Sequence, residues 1–205
     1  MHLEALPEKN KSLWQKLSLF PNFYLAGGTA LALQIGHRIS VDFDLFSDKV
    51  LSSSLLSQLE QIFQNAKLEP LVNNQQELTV LVDQVKLTFL HYPFLIINPL
   101  IHEHGLSLLD IPELAATKAY TIGRRGSFKD YVDLYFVLSE NHTDLANIIS
   151  VAERKYQTAF NSRIFLEQLV YLDDITDTAI QFIKPAVSKQ DLQTFFASQV
   201  KNIKL

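Results

Sequence analysis

Cysteine is absent from this chain of 205 residues. Its absence excludes disulfide frameworks, cysteine–zinc sites and thiol catalysis, and it fits a reducing compartment. Basic residues are not in excess either, since the formal net charge is -4. Binding to nucleic acid would therefore need a local basic surface. Apolar residues make up 47% and charged residues 20% of the chain, a globular composition that excludes disorder for most of it.

Long apolar runs are also missing. The most apolar stretch, residues 87–101, is interrupted by Pro93 and Pro99 and is too short to span a bilayer. The first eleven residues contain charged side chains and no apolar run, unlike a secretory signal. We therefore expect a cytoplasmic protein that does not contact membranes.

The pattern of apolar residues predicts an α+β fold. Alternation of period two predicts strands over 41–46, 78–82 and 85–90, the last two forming a hairpin. Helical spacing and end signals predict helices over the following ranges: 12–20, 29–36, 51–65, 110–123, 127–138, 143–156, 163–171, 173–182 and 189–200. Strands are thus confined to the first half, and the second half is predicted to be helical.

Two acidic residues stand out in the strand predicted over 41–46. Asp42 and Asp44 are two residues apart, so their side chains lie on the same face of a strand. Two neighbouring carboxylates repel each other unless a cation binds between them, and oxygen ligands of this kind suit Mg²⁺. The same pattern is also common on a solvated strand face, so alone it does not define a metal site.

A diglycine, Gly27-Gly28, precedes the helix predicted from Thr29. Backbone N–H groups of a glycine turn at a helix N-terminus can approach an anion closely, and the helix dipole favours negative charge there. Together with the two acids, this turn would suit a metal-bound triphosphate. A glycine pair is otherwise an ordinary turn, and Thr29 has an ordinary explanation as a helix cap.

The order and spacing of these motifs resemble the polymerase-beta-type nucleotidyltransferase superfamily. The longer strings LAGGTALAL (25–33) and HRISVDFDLF (37–46) are similar to the AbiEii/AbiGii toxin family within it. Downstream, DIPELAATK (110–118), Arg125-Gly126 and KDYVDLY (129–135) resemble later motifs of that family. The match extends from about residue 20 to residue 140.

The resemblance implies a mixed-sheet core flanked by helices over residues 1–105, and a helical domain over 106–205 that completes the active-site cleft. It implies Mg²⁺-dependent transfer of a nucleotide from a nucleoside triphosphate to an RNA acceptor, with tRNA the foremost candidate. Such a protein would be the toxin of a toxin–antitoxin pair, with a cognate antitoxin protein as partner. Recognition of a DNA sequence is not expected.

The resemblance also implies roles for individual residues. Asp42 and Asp44 would bind the metal, and Lys118 and Asp130 would complete the catalytic set. The nucleotide would be held by the following residues: Gly27, Gly28, Thr29, Arg38, Arg125 and Lys129. Further residues of these sets also have ordinary explanations: Lys118 as a surface lysine, Arg125 as a helix C-terminal cation and Asp130 as a first-turn acid.

One position departs from the superfamily pattern. A third carboxylate is usual on a later strand, and the matching strand here carries Thr88, which cannot act as a general base at neutral pH. Asp130 or Asp133 could take over, two acids could suffice, or the protein could bind nucleotide without efficient transfer. The alternative functions are a non-catalytic nucleotide-binding or partner-binding protein and an enzyme that modifies a protein hydroxyl.

Overall fold

The structure is a computed structural model that describes residues 1–203, without the side chain of Arg125. Its fold is α+β, with a mixed sheet of seven strands and eight α-helices among the described residues. The helices are α1 (Glu8–Lys16), α2 (Gly27–Ile35), α3 (Leu55–Ile62), α4 (Ile111–Arg125), α5 (Phe128–Ser139), α6 (Leu145–Tyr156), α7 (Ser162–Val170) and α8 (Lys189–Val200). Short 3-10 helices lie at Leu3–Ala5, Leu17–Leu19 and Gln157–Ala159.

The strands are β1 (Tyr24–Ala26), β2 (Phe43–Ser47), β3 (Leu68–Asn73), β4 (Glu77–Val82), β5 (Val85–His91), β6 (Ile101–Glu103) and β7 (Leu106–Leu108). Their order in the sheet is β3-β4-β5-β2-β1-β7-β6. The pairs β1–β7 and β2–β5 are parallel and the remaining pairs are antiparallel, so the sheet is mixed.

Alternating burial separates the two faces of the central strands. Val85, Leu87 and Phe89 of β5 are buried, whereas the residues between them are half-buried. Because successive side chains of a strand point to opposite faces, one face packs into the core and the other is partly open. The open face of β2, β5 and β4 is where the candidate site lies.

Helix α4 begins where its sequence predicts. Asp110 caps it by accepting a hydrogen bond from the backbone of Glu113 at 3.0 Å, and Pro112 lies in the first turn. Helix α5 begins with a capping box formed by Ser127 and Asp130. These two helices bring Lys118 and Asp130 to the open face of the sheet.

The helix predicted over 173–182 is wrong. Residues 173–188, called the strap below, contain no helix and run back to the N-terminal half. The backbone of Ile39 donates to the carbonyl of Gln181 at 2.8 Å, and Ile183 donates to the carbonyl of His37 at 3.0 Å. The predicted range is rich in Asp, Thr and Ile, which are poor helix formers, so these contacts decide its conformation.

Other boundaries differ by a few residues. The opening helix begins earlier than predicted, the helix predicted over 51–65 is shortened to α3, and β2 begins at Phe43 rather than at Val41. The domain boundary predicted between residues 105 and 106 falls in the turn between β6 and β7. The division into two domains stays a prediction. No helix of residues 1–203 has the length and hydropathy needed to cross a membrane.

Candidate functional site

Two carboxylates lie at the start of β2. Asp42 immediately precedes the strand, and its carbonyl oxygen accepts a hydrogen bond from the Thr29 hydroxyl. Asp44 is the second residue of the strand and lies between Ala26 of β1 and Thr88 of β5 in the register. The side chain of Asp42 is 43% exposed and that of Asp44 is half-buried, and both border one cavity.

The electrostatic environment of the two acids favours a cation. Burial raises the pKa of Asp44, and the neighbouring Asp42 carboxylate raises it further, while Lys86 and Lys118 act in the opposite direction. Lys86 Nζ lies 3.5 Å from a carboxylate oxygen of Asp42. Among residues 1–203, no group of three or more His, Asp and Glu side chains could hold a metal ion. A hard divalent cation here would therefore take two protein carboxylates and complete its shell with water or substrate oxygens.

The diglycine lies beside Asp44 and has no room for side chains. Gly27 has a φ of 67°, and a Cβ built on it would lie 2.5 Å from Asp44 Oδ2. A Cβ on Gly28 would collide with the guanidinium of Arg38. Ala26, the N-cap of α2, offers no side-chain hydrogen bond to the first turn. The N-terminus of α2 therefore presents backbone N–H groups beside Asp44.

A buried ion network around Asp133 holds two side chains that line this cavity, Arg38 and Lys118. Asp133 is completely buried and contacts three basic side chains: His37 at 2.7 Å, Arg38 at 2.7 and 2.9 Å, and Lys118 at 2.8 Å. Burial alone would raise the pKa of Asp133, but the charges of Arg38 and Lys118 and the hydrogen bonds hold it well below its usual range. Asp133 thus stays ionised and fixes Arg38 and Lys118.

Lys118 is shared between this network and the cavity. Its Nζ lies 2.7 Å from Asp130 Oδ1, while Asp130 Oδ2 accepts hydrogen bonds from the backbone and hydroxyl of Ser127 at 2.9 and 2.8 Å. Burial lowers the pKa of Lys118, but Asp133 and Asp130 raise it more strongly, so the lysine remains charged. Both carboxylate oxygens of Asp130 therefore already accept hydrogen bonds, one from Lys118 and the other from Ser127.

Two cavities meet at the centre of this arrangement. The first, of about 290 Å³, contains most of the predicted residues and is bordered by the strap; its lining includes Gly28, Thr29, Arg38, Ser40, Asp42, Asp44, Lys118, Lys129, Asp130, Ile180 and Gln181. The second, of about 560 Å³, extends over the open sheet face; its lining includes Gly27, Gly28, Asp44, Glu77, Lys86, Thr88, Thr117, Lys118, Thr121 and Asp130. Five residues border both cavities: Gly28, Asp44, Lys118, Ser127 and Asp130.

The structure therefore brings together the predicted site residues, except that the side chain of Arg125 lies outside the described part of the chain. Their individual roles stay predictions. The Thr29 hydroxyl does not cap α2, because it donates to the carbonyl of Asp42 and accepts from the Ser40 hydroxyl at 2.8 Å. Sequence reasoning missed Glu77 and the strap residues Ile180 and Gln181. No local motif marks them, since they reach the site only through sheet pairing and chain reversal.

Comparison with known proteins shows which family and which fold the chain resembles. An uncharacterised protein of Aquifex aeolicus (strain VF5), aq_aa25, is 32% identical over 189 residues, which cover 90% of this chain and 89% of that protein. Among solved structures, JHP933 from Helicobacter pylori covers 80% of this chain and 90% of its own, with a TM-score of 0.51 and 16% identity.

A second Helicobacter pylori structure, of a protein assigned as a nucleotidyltransferase, covers 100% of this chain and 98% of its own. Its TM-score is 0.54 at 14% identity, so both structural likenesses concern the fold alone. The sequence model of the AbiEii toxin, described as a nucleotidyl transferase of a type IV toxin–antitoxin system, matches residues 12–204. Since this match spans nearly the whole chain and agrees with the motif order and the fold, the chain belongs to the AbiEii nucleotidyl transferase toxin family.

Proposed function

We propose that this chain transfers a nucleotide from a Mg²⁺-bound nucleoside triphosphate to an RNA acceptor, with tRNA the foremost candidate. The observation that carries the proposal is the contact between the Asp44 carboxylate and the uncapped N-terminus of α2, with Lys118 on the same cavity. A carboxylate pair beside an anion-binding helix end is the arrangement that a metal-bound polyphosphate needs.

The first cavity suits the donor nucleotide. Its cationic groups, Arg38, Lys118 and Lys129, would neutralise phosphate charge together with the N–H groups of α2. Asp133 keeps Arg38 and Lys118 in fixed positions, so their charge is in place before the substrate binds. Apolar side chains of Ile39, Val41 and Ile180 line the same cavity and offer a surface for the base.

Asp42 and Asp44 fit Mg²⁺ by the chemistry of their oxygen donors, since both carboxylates border the first cavity. When bound, the ion would orient the α-phosphate and offset the charge that develops during in-line attack. Lys118 would contribute a fixed positive charge at the junction of the two cavities.

The toxin role and the partners belong to the same proposal. Membership in a family of type IV toxin–antitoxin systems supports a cognate antitoxin protein as partner and a nucleoside triphosphate as substrate. We place the reaction in the cytoplasm, where nucleoside triphosphates and RNA are both abundant. Expression of the active protein is then expected to inhibit growth, and the antitoxin to relieve that inhibition.

Incubation with total RNA, Mg²⁺ and each radiolabelled nucleoside triphosphate in turn tests the proposal. We expect labelled RNA with the wild type and none with Asp42→Asn or Asp44→Asn. Asp48→Asn is the matched control, because Asp48 is exposed and borders neither cavity. Unchanged labelling by the two site variants would refute the assignment, and label on protein would instead indicate a protein hydroxyl as acceptor.

One observation favours a second candidate function. Thr88 lies beside Asp44 in the register, where the superfamily usually has a third acid, so the protein could bind nucleotide without transferring it. Calorimetry with nucleotides and Mg²⁺ separates the two functions: binding without labelling of any RNA or protein supports a non-catalytic protein, and labelling rejects it.

A further inference from the structure

The second cavity contains an acidic residue that the family resemblance does not assign. Three carboxylates border it: Asp44, Asp130 and Glu77. Asp44 belongs to the proposed metal site, and both oxygens of Asp130 are occupied by Lys118 and Ser127. Glu77 is half-buried at the start of β4, and among the described residues no lysine or arginine forms an ion pair with it. Its carboxylate is therefore available to a ligand.

A row of side chains connects Glu77 with the proposed metal site across three strands. Thr88 pairs with Asp44 on one side and with Thr79 on the other, so the three side chains lie on the same sheet face. Glu77 is two residues before Thr79 and shares that face. The Thr79 hydroxyl donates to Glu77 Oε1 at 2.7 Å and lies 3.4 Å from the Thr88 hydroxyl. The further carboxylate on this sheet face therefore belongs to Glu77 on β4, two strands away from Asp44. The position on β5 between them is occupied by Thr88.

The other candidates for the missing acid are less suited. Asp133 is completely buried, contacts three basic groups and borders neither cavity. Asp130 is held as the first-turn acid of α5 and as the partner of Lys118. Both acids position other groups, which leaves Glu77 as a carboxylate of the second cavity without an ion-pair partner among the described residues.

We propose that the second cavity receives the acceptor and that Glu77 is the base for its attacking hydroxyl; this inference rests on the proposed nucleotidyl transfer. The hydroxyl proton passes to the Glu77 carboxylate, and the hydroxyl oxygen forms a bond to the α-phosphorus. The bond from the α-phosphorus to the bridging oxygen breaks, and pyrophosphate leaves with the electron pair. Thr117 and Thr121 of α4 also line this cavity; their hydroxyls donate to the carbonyls of Glu113 and Thr117, and their oxygens can accept from ribose hydroxyls.

The test compares Glu77→Gln with the wild type and with Glu69→Gln, a matched control on the exposed edge strand β3. We expect Glu77→Gln to lower kcat about a hundredfold, within the range of a general base. The affinity for nucleoside triphosphate, measured by calorimetry, is expected to stay unchanged, and Glu69→Gln to behave as the wild type.

A second variant separates a chemical role from a structural one. Thr88→Asp restores the acid at the usual position, so the double variant Glu77→Gln/Thr88→Asp is expected to regain at least about tenfold in kcat over Glu77→Gln. A wild-type rate in Glu77→Gln, or a double variant no faster than the single one, overturns the inference. If the wild type itself labels no acceptor, the proposed function has failed and this inference fails with it; transfer by the wild type and by Glu77→Gln at equal rates defeats the inference alone.

Discussion

His37 is the histidine of the buried ion network around Asp133, and its protonation state affects the stability of the fold. Its Nε2 contacts Asp133 at 2.7 Å, and its Nδ1 has no hydrogen-bond partner among the described residues. Burial lowers the pKa of His37 below its ordinary value, and the opposing effect of Asp133 does not compensate, partly because Arg38 and Lys118 add positive charge. The imidazole is therefore neutral in the folded protein at neutral pH.

This neutral histidine predicts a pH dependence of stability. Below about pH 6.5 the unfolded chain binds a proton at His37 that the folded chain does not, so the free energy of unfolding decreases as the pH falls. The contribution of one such group reaches about 1.4 kcal/mol per pH unit. His37→Gln keeps a donor for Asp133 and removes the titration. Urea unfolding from about pH 7.5 to about pH 5 is expected to show a steeper loss in the wild type than in the variant. Equal slopes would show that His37 titrates normally.

For individual residues, the sequence predicts the residue types of the site better than the contacts between their side chains. Asp42, Asp44 and the diglycine are recognisable because motif spacing is local. The contact between Asp133 and Arg38 joins residues 95 positions apart, and no local pattern reports it. Gly28 illustrates the difference: its position is predictable, but the reason that it is glycine, the adjacent Arg38 guanidinium, is a tertiary contact.

Among the structural elements, the strap has the most direct effect on the site. It borders the first cavity through Ala179, Ile180 and Gln181, and its backbone pairs with the segment His37–Ile39. Phe182 forms the bridge to Arg38 and packs against Phe136 with ring centroids 6.3 Å apart. Packing of one half-buried ring therefore helps to hold the wall of the first cavity.

Removal of that ring is expected to loosen the strap. In Phe182→Ala the amides of Ile39 and Ile183 should exchange with solvent at least about tenfold faster, equal to about 1.4 kcal/mol of opening free energy. Nucleotide affinity should also weaken, because the strap forms one wall of the cavity. Hydrogen exchange by mass spectrometry measures this, with Tyr171→Ala, a change at an exposed position before the strap, as the control. Unchanged protection in Phe182→Ala would show that the backbone hydrogen bonds alone hold the strap.

Elements were predictable where local signals agreed with tertiary contacts. The capping residues of α4 and α5 and the β4–β5 hairpin follow from sequence because the turn and cap chemistry is local. Strand β3 was not predicted, since Pro70 interrupts it and its residues are mostly exposed at the sheet edge. Strands β6 and β7 have three residues each, too few for a period-two pattern.

For the whole molecule, a buried ion pair between α4 and α6 links the helices to the sheet. The side chains of Glu113 and Lys155 are completely buried and 2.8 Å apart. Lys155 also donates to the carbonyl of Leu95 at 2.7 Å, and Glu113 accepts from the backbone of Asn98 at 2.9 Å. The pair thus fixes the connection between β5 and β6 against α6 and against α4, the helix that carries Lys118.

Loss of one partner of this pair is expected to destabilise the whole fold. Lys155→Met leaves the Glu113 carboxylate buried without its cation, which should lower the free energy of unfolding by about 3–5 kcal/mol. The double variant Glu113→Gln/Lys155→Met removes both charges, while the introduced amide oxygen can still accept from the backbone of Asn98, so it should recover part of that loss. Urea unfolding of the wild type, both single variants and the double variant gives the coupling energy between the two residues. Since Lys155 borders neither cavity, the nucleotide affinity of the folded fraction should be unchanged. A loss below about 1 kcal/mol in Lys155→Met would mean that water reaches the carboxylate and that the pair does not hold the β5–β6 connection against the helices.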